Sequence, residues 1–307
     1  MLVGEGLGEP NEGAVVPEAT NSVPTNGQLV VVATPIGNLG DISRRAIELL
    51  TNADVIYCED TRHSSTLFSA YQIPVNRRLR SLHEHNEASL CDEVVERVRS
   101  GQVVVVISDA GTPGISDPGG RVVAAVADAG LIVTTVPGAV ALIAALTISG
   151  LPSERFVMEG FLPRKVGERE VFYSQWSRES RTIVFYESPQ RLVTTLGEMA
   201  ERFAARRIAV VRELTKLHEE VVRGSVEQVA KVYESRDVLG EIVVVLEGAA
   251  YVAEVDEHTI RVALAEQLKR GVSVRDAVDH VEEALGVSHR TTYLIALDLR
   301  AEDELSQ

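Results

Sequence analysis

Short apolar runs punctuate the first half of the chain, and each stops abruptly at a turn. Leu29-Val30-Val31-Val32-Ala33 ends at Thr34-Pro35, Val103–Ile107 ends at Ser108-Asp109, and Leu131–Val136 ends at Pro137-Gly138. Brief apolar stretches bounded by turn formers predict buried strands. Helical patterns lie between them, as at Ile42–Leu50 and Ser89–Val98. Strand, turn and helix in alternation predict a largely parallel α/β sheet with both faces covered.

Beyond Leu151-Pro152 the rhythm changes. Strands are predicted at Phe156–Phe161, Thr182–Tyr186, Arg207–Val211 and Ile242–Leu246, with helices over 166–178, 189–203 and 225–235. This is a second α/β unit with a more mixed sheet. Residues 257–303 read as three short helices with turns at Gly271-Val272-Ser273 and Gly286-Val287-Ser288. Ser273 with Asp276 fits a capping box, and Ser288 fits an N-cap. Such a unit resembles a helix-turn-helix; a helical hairpin that only packs on the body fits equally. Residues 1–27, rich in Gly, Glu, Pro and Asn without a period, are expected to be a disordered tail. The expected organisation is therefore a tail over 1–27, α/β domains over 28–150 and 151–252, and a helical unit over 257–303.

Composition narrows the classes of function. The 307 residues, 45% hydrophobic and 24% charged, suit a soluble protein of about two domains. No apolar run approaches the roughly 20 residues of a membrane-spanning helix. The first 27 residues lack a basic start followed by an apolar stretch, so no secretory signal is expected. Cys58 and Cys91 are too few for a disulfide framework and lack metal-ligand spacing, so a reducing cytoplasm and no metal are expected. A net charge of −15 argues, taken alone, against a nucleic-acid partner. However, residues 161–223 carry twelve Lys or Arg against nine Asp or Glu, and the first 27 residues contribute −4. Charge leaves the partner open.

In an open parallel sheet, ligands bind beyond the carboxyl ends of the strands. Four loops qualify: Thr34–Asp41, Cys58–Arg62, Ser108–Gly120 and Pro137-Gly138-Ala139. The first is neither a Walker loop, since Gly40 is followed by Asp41, nor a dinucleotide fingerprint, since only Gly37 and Gly40 are in place. It offers close backbone approach without positive charge, which suits a ligand lacking phosphates. Ser108–Gly120 holds four glycines and two prolines in thirteen residues, longer than a mere connector needs. Its backbone path exposes N–H and C=O groups, and Asp109 and Asp117 add acceptors for hydroxyls or an ammonium group.

These residues resemble a known family. The segments Ala33–Asp41, Glu59-Asp60-Thr61-Arg62, His83-Glu84-His85-Asn86-Glu87 and Ser108–Gly120 are similar to the ribosomal RNA small subunit methyltransferase I family. So are Gly160-Phe161-Leu162-Pro163, Tyr186-Glu187-Ser188-Pro189 and Arg212-Glu213-Leu214-Thr215-Lys216. The resemblance runs from about residue 28 to 300, with the motifs in family order. It implies a two-domain tetrapyrrole-methylase fold with S-adenosyl-L-methionine in a cleft between the lobes. It also implies methylation of a ribose 2'-hydroxyl of a decoding-centre cytidine in 16S rRNA, within the small ribosomal subunit, by a homodimer. Carried over by position, the cofactor cleft comprises Pro35, Ile36, Asp109, Gly111, Ile115, Ser116, Pro137, Gly138, Ala139, Phe161, Leu162, Gly240 and Glu241.

A ribose hydroxyl gains from a general base, for which Glu59, Asp60, His83, His85 and Glu87 are candidates. Arg62, Arg212 and Lys216 are candidates for steering RNA phosphates. Each has a plainer role available: the histidines could cap a strand end, Asp60 and Arg62 could pair to brace their loop, and Arg212-Glu213 could be a surface ion pair. Two other functions remain compatible with the sequence. One is a corrin or porphyrin precursor methyltransferase of the same fold, and the other a non-catalytic ligand-sensing adaptor.

Overall fold

Alternation along β1 (Gln28–Val32) sends Leu29 to one face of a sheet and Val30 and Val32 to the other. The computed structural model describes residues 27–75, 78–250, 256–285 and 287–305. The tail expected over 1–27 therefore lies outside the described residues except for Gly27. The same two-way split recurs on β2 (Val55–Cys58) and β4 (Val103–Val106). With the short β3 (Leu79–Ser81) and β5 (Ile132–Val136) they form a five-stranded sheet, order β3-β2-β4-β1-β5, parallel throughout.

Helices α1 (Arg44–Asn52) and α2 (Thr61–Ala70) lay Ala46, Leu50 and Phe68 on one face. On the other face α3 (Glu87–Arg99) and α4 (Gly120–Asp128) lay Val94, Val98, Val122 and Val126. Each such aliphatic side chain, fully buried, contributes roughly 1.5–3 kcal/mol. Adjacent strands β1 and β4 thus lead to helices on opposite faces. Their loops part at the carboxyl edge and leave a crevice there, the place where open α/β sheets bind ligands.

The second sheet has order β6-β7-β10-β8-β9, built from β6 (Phe156–Phe161), β7 (Thr182–Glu187), β8 (Arg207–Arg212), β9 (Glu220–Ser225) and β10 (Ile242–Leu246). Only β6 and β7 run parallel; the other pairs are antiparallel, the mixed sheet expected. One face packs on α6 (Val166–Trp176), α7 (Pro189–Phe203) and α8 (Val226–Tyr233) around Trp176, Leu192 and Tyr233. The other receives α5 (Ala141–Ser149), whose Leu142, Ala145 and Leu146 pack on Val184, Val211 and Val243. Helix α5 follows directly on the first sheet yet covers the second, and so ties the lobes together.

The two sheets belong to one compact unit that extends to Ala249, and the residues from Ala250 form another. In the latter, α9 (Glu257–Lys269), α10 (Val274–Leu285) and α11 (His289–Leu305) share a core of Ile260, Leu264, Val278 and Val281 with Ile295 and Ala296. The third helix runs 17 residues, longer than the short helix expected. Ser273 Oγ accepts the Asp276 N–H at 3.2 Å and donates to its carboxylate at 2.7 Å, while Ser288 Oγ accepts from the Thr291 N–H at 3.3 Å. Both serines therefore cap as the sequence predicts; Gly286 of the second turn lies outside the described residues. Among the described residues, no helix is long and apolar enough to cross a membrane.

Candidate active site

Three loops at the carboxyl edge of the first sheet are knitted together by hydrogen bonds to their backbones. Thr34 N–H donates to Gly111 O at 2.8 Å, and Gly111 N–H donates back to Thr34 O at 3.2 Å. Thr112 Oγ1 reaches Ala139 O at 3.1 Å. A Cβ on Gly138 would lie 2.8 Å from the Ala33 Cβ, so only glycine lets these loops meet. Ser116 is held at φ +65°, a conformation that side chains disfavour and that often marks functional loops.

A cleft of about 350 Å³ opens between these loops and the second sheet, within the usual range for small-ligand sites. Ile36, Gly111, Ile115 and Ser116 line one side, and Phe161, Gly240 and Glu241 the other. Seven of the thirteen positions expected for cofactor thus meet in one cavity. Pro35, Asp109, Pro137, Gly138 and Ala139 lie on the same loops without lining it. Leu162 is 2% exposed and packs inside the second lobe's core, because successive strand residues point to opposite faces. Its neighbour Phe161 turns the other way. A register shift between Met158 and Phe161, with Gly160 at φ +66°, sets Phe161 opposite Tyr186 at 5.3 Å between ring centroids. Phe161 stays 59% exposed, an apolar ring presented to whatever the cleft holds.

The charge of the cleft is one-sided. Asp117, Glu187 and Glu241 line it, and no Lys, Arg or His is among the lining residues. Glu187 is buried and fully engaged: it accepts the Ser188 N–H and the Thr195 hydroxyl, each at 2.7 Å, and pairs with Arg191 at 2.6 Å. Burial pushes the Asp117 carboxyl above the ordinary range, with repulsion from Asp109 adding to it and the Ser108 hydroxyl offsetting part. Glu59 is pushed up likewise, by burial first, then by Asp117 and Asp109.

The candidate bases Glu59, Asp60 and His83 do not line the cleft. Asp60 caps α2 by accepting the Arg62 N–H at 2.7 Å, and it pairs with the Arg62 guanidinium at 3.1 Å. Its own N–H donates to Asp109 Oδ1 at 3.1 Å, which links the two loops. His83 donates its N–H to Asn86 Oδ1 at 2.8 Å, its Nδ1 is buried without a partner, and its ring meets His85 edge-on at 5.9 Å. Glu87, the first residue of α3, is buried, and its Oε1 reaches the start of α4 to accept N–H groups of Gly119 (3.0 Å), Arg121 (2.7 Å) and Val122 (3.3 Å). That carboxylate closes the glycine-rich loop onto its helix, a favourable place for negative charge.

Of the cationic candidates, Arg62 is exposed apart from its Asp60 pair. Arg212 bonds Glu220 at 3.3 Å and Leu239 O at 3.1 Å, and Lys216 bridges Glu213 (2.9 Å) and Glu241 (3.2 Å). Glu213 and Thr215 in this segment adopt φ +51° and +67°. Glu213 Oε1 also accepts the Glu241 N–H at 3.0 Å, so the Arg212–Lys216 motif braces the cleft wall. Sequence reasoning assigned no role to Tyr186, which lines the cleft at the end of β7; its only signal was its place in a quoted motif.

Comparisons with known proteins bear on the family. The family model for Tetrapyrrole (Corrin/Porphyrin) Methylases matches residues 28–230. A protein of Mycobacterium tuberculosis named Ribosomal RNA small subunit methyltransferase I is 44% identical over 280 residues, 91% of this chain and 97% of that protein. The protein of that name from Thermotoga maritima is 42% identical over 222 residues, 72% of this chain but 99% of its own length. Among solved structures, uroporphyrin-III C-methyltransferase of Thermus thermophilus (TM-score 0.51, 20% identity) covers 72% of this chain and 94% of that one. Diphthine synthase (TM-score 0.55, 16% identity) covers 72% and 89%. The structural likenesses establish the fold alone.

Proposed function

The chain belongs to the ribosomal RNA small subunit methyltransferase I family of the tetrapyrrole methylases, and from that premise we propose that it methylates the ribose 2'-hydroxyl of a decoding-centre cytidine in 16S rRNA. The methyl donor is S-adenosyl-L-methionine. One observation carries this choice of ligand: no cationic side chain lines the cleft, and of its three carboxylates Asp117 forms no ion pair among the described residues. Phosphates would meet repulsion there, whereas a sulfonium and an ammonium group gain from it. When bound, the donor supplies an activated methyl carbon on a positively charged sulfur.

The chain's own residues then have separable tasks. Ile36, Ile115 and Phe161 provide an apolar slot for the adenine ring. Ser116 offers backbone groups, Gly111 gives close approach for want of a side chain, and Gly240 lets Glu213 hold the opposite wall. Alignment of the two reactants in such a cleft can supply roughly 7–11 kcal/mol of rate enhancement. RNA phosphates lie outside the cleft in this reading, where the exposed Arg62 is available and Arg212 and Lys216 act by bracing the wall. The active form is a homodimer acting on the small ribosomal subunit in the cytoplasm.

Nucleoside mass spectrometry of 16S rRNA from cells with and without the protein tests the reading. Loss of one 2'-O-methylcytidine on deletion is expected. An unchanged level overturns the substrate assignment.

A further inference from the structure

The three cleft carboxylates differ in what occupies them. Glu187 is consumed by Ser188, Thr195 and Arg191, and Glu241 shares Lys216 with Glu213. Asp117 forms no ion pair among the described residues, is half-buried, and lines the cavity from the glycine-rich loop. Among the described residues, the ionisable groups whose charge couples to it are acidic or ionisable to an anion. Glu59 and Asp109 stand near it on its own lobe, and from the facing lobe Tyr186 feels its charge.

We propose that Asp117 is the catalytic base, the carboxylate that receives the proton of the substrate hydroxyl. This rests on the functional reading above. Glu59, Asp60 and His83 do not line the cleft, whereas Asp117 does, close to Tyr186 and so to the junction of the two lobes. In the balanced step the ribose oxygen forms its new bond to the methyl carbon. The methyl–sulfur bond breaks with its electron pair left on the sulfur, and the hydroxyl proton passes to an Asp117 carboxylate oxygen. Proton capture also relieves repulsion from Asp109 and Glu59, so the neighbours that strengthen this base favour the protonated product. Glu59 is a positioning residue here: it acts through Asp117 and touches no reactant.

The test compares wild type, Asp117→Asn and Glu59→Gln on small ribosomal subunits lacking the modification. Methylation rates are followed against pH, and S-adenosylmethionine affinity is measured by calorimetry. The expected result for Asp117→Asn is a fall in kcat of about 10²–10⁴ with a far smaller, at most severalfold, loss of cofactor affinity, and loss of the acid limb of the pH profile. Saturable binding of the cofactor also shows that the variant is folded. Glu59→Gln is expected to keep the limb but move it to lower pH. A wild-type kcat in Asp117→Asn, an unmoved limb in Glu59→Gln, or a loss of cofactor affinity that matches the loss of rate overturns the proposal. A wild-type enzyme that binds S-adenosylmethionine yet leaves the subunits unmodified overturns the functional reading itself; a methylating wild type beside an equally active Asp117→Asn overturns only the base.

Discussion

Gly37 of the first lobe lies against Lys216 of the second so closely that a Cβ on the glycine would stand 2.5 Å from the lysine Cγ. Gly37 is also at φ +148°, where L side chains are disfavoured. The contact involves the stem of a lysine already tied to Glu213 and Glu241, so the side chain has little freedom to move away. Gly37→Ala should therefore push the two walls apart. Overpacking of this kind costs about 1–3 kcal/mol, which for a chain of this size is a fall in Tm of a few degrees. Cofactor affinity should fall with it. Thermal unfolding and calorimetry check both, and an alanine variant as stable and as tight as wild type would show that the lobes do not meet here.

Glu87 shows how an acidic residue in a functional motif can serve the framework. Its Oε1 gathers three backbone N–H groups where the glycine-rich loop enters α4. Glu87→Ala leaves those donors buried and unpaired, at about 1–3 kcal/mol. Glu87→Gln keeps a neutral acceptor and should lose less. Denaturant unfolding of the two variants gives the order, and equal losses would mean that the side chain's volume matters and its oxygens do not.

The parallel sheet was legible because β1 and β4 are short apolar runs closed by turn residues. β3 was not, since three residues cannot display a period. β9 was hidden because Glu220, Arg223 and Ser225 interrupt its valines, and antiparallel pairing to β8, visible only in three dimensions, makes it a strand. In the site, loop glycines announced the cleft, yet which of two neighbours faces it depended on a bulge: Phe161 turns in and Leu162 turns away. Asp117 was readable as an acceptor. Its isolation from any cation was not, because that depends on where Lys216 and Arg62 find their partners.

Asp117 and Glu59 both hold protons more tightly in the folded chain than a free carboxyl does. A raised folded pKa contributes stability at pH below the ordinary carboxylate range, and that contribution is lost as pH rises through the raised value. At neutral pH both charges are therefore a burden on the fold. Asp117→Asn and Glu59→Gln should raise Tm at neutral pH, and the gain should disappear as pH drops into the ordinary carboxylate range. Thermal melts across that interval decide it; a variant less stable than wild type at neutral pH would contradict the repulsion described.

Phe161 is mostly exposed, so its removal should cost the fold little and the cleft much. Phe161→Ala is expected to keep its Tm while S-adenosylmethionine affinity drops by roughly 1–2 kcal/mol, in line with the apolar area that an aromatic side chain offers. Calorimetry separates this from a role toward RNA. If cofactor affinity is unchanged and the KM for the ribosomal subunit rises instead, the ring serves the target nucleotide.

The helical unit can be separated from the chemistry by the same logic. It has its own core, and every cleft residue belongs to the two-sheet unit. Methyl transfer therefore should not need α9–α11, and a chain ending at Ala249 should bind S-adenosylmethionine as tightly as the full protein. If the unit helps to hold RNA, the shortened enzyme will show a raised KM for the small subunit at nearly unchanged kcat. A loss of kcat with KM preserved would instead place part of the helical unit at the reacting groups.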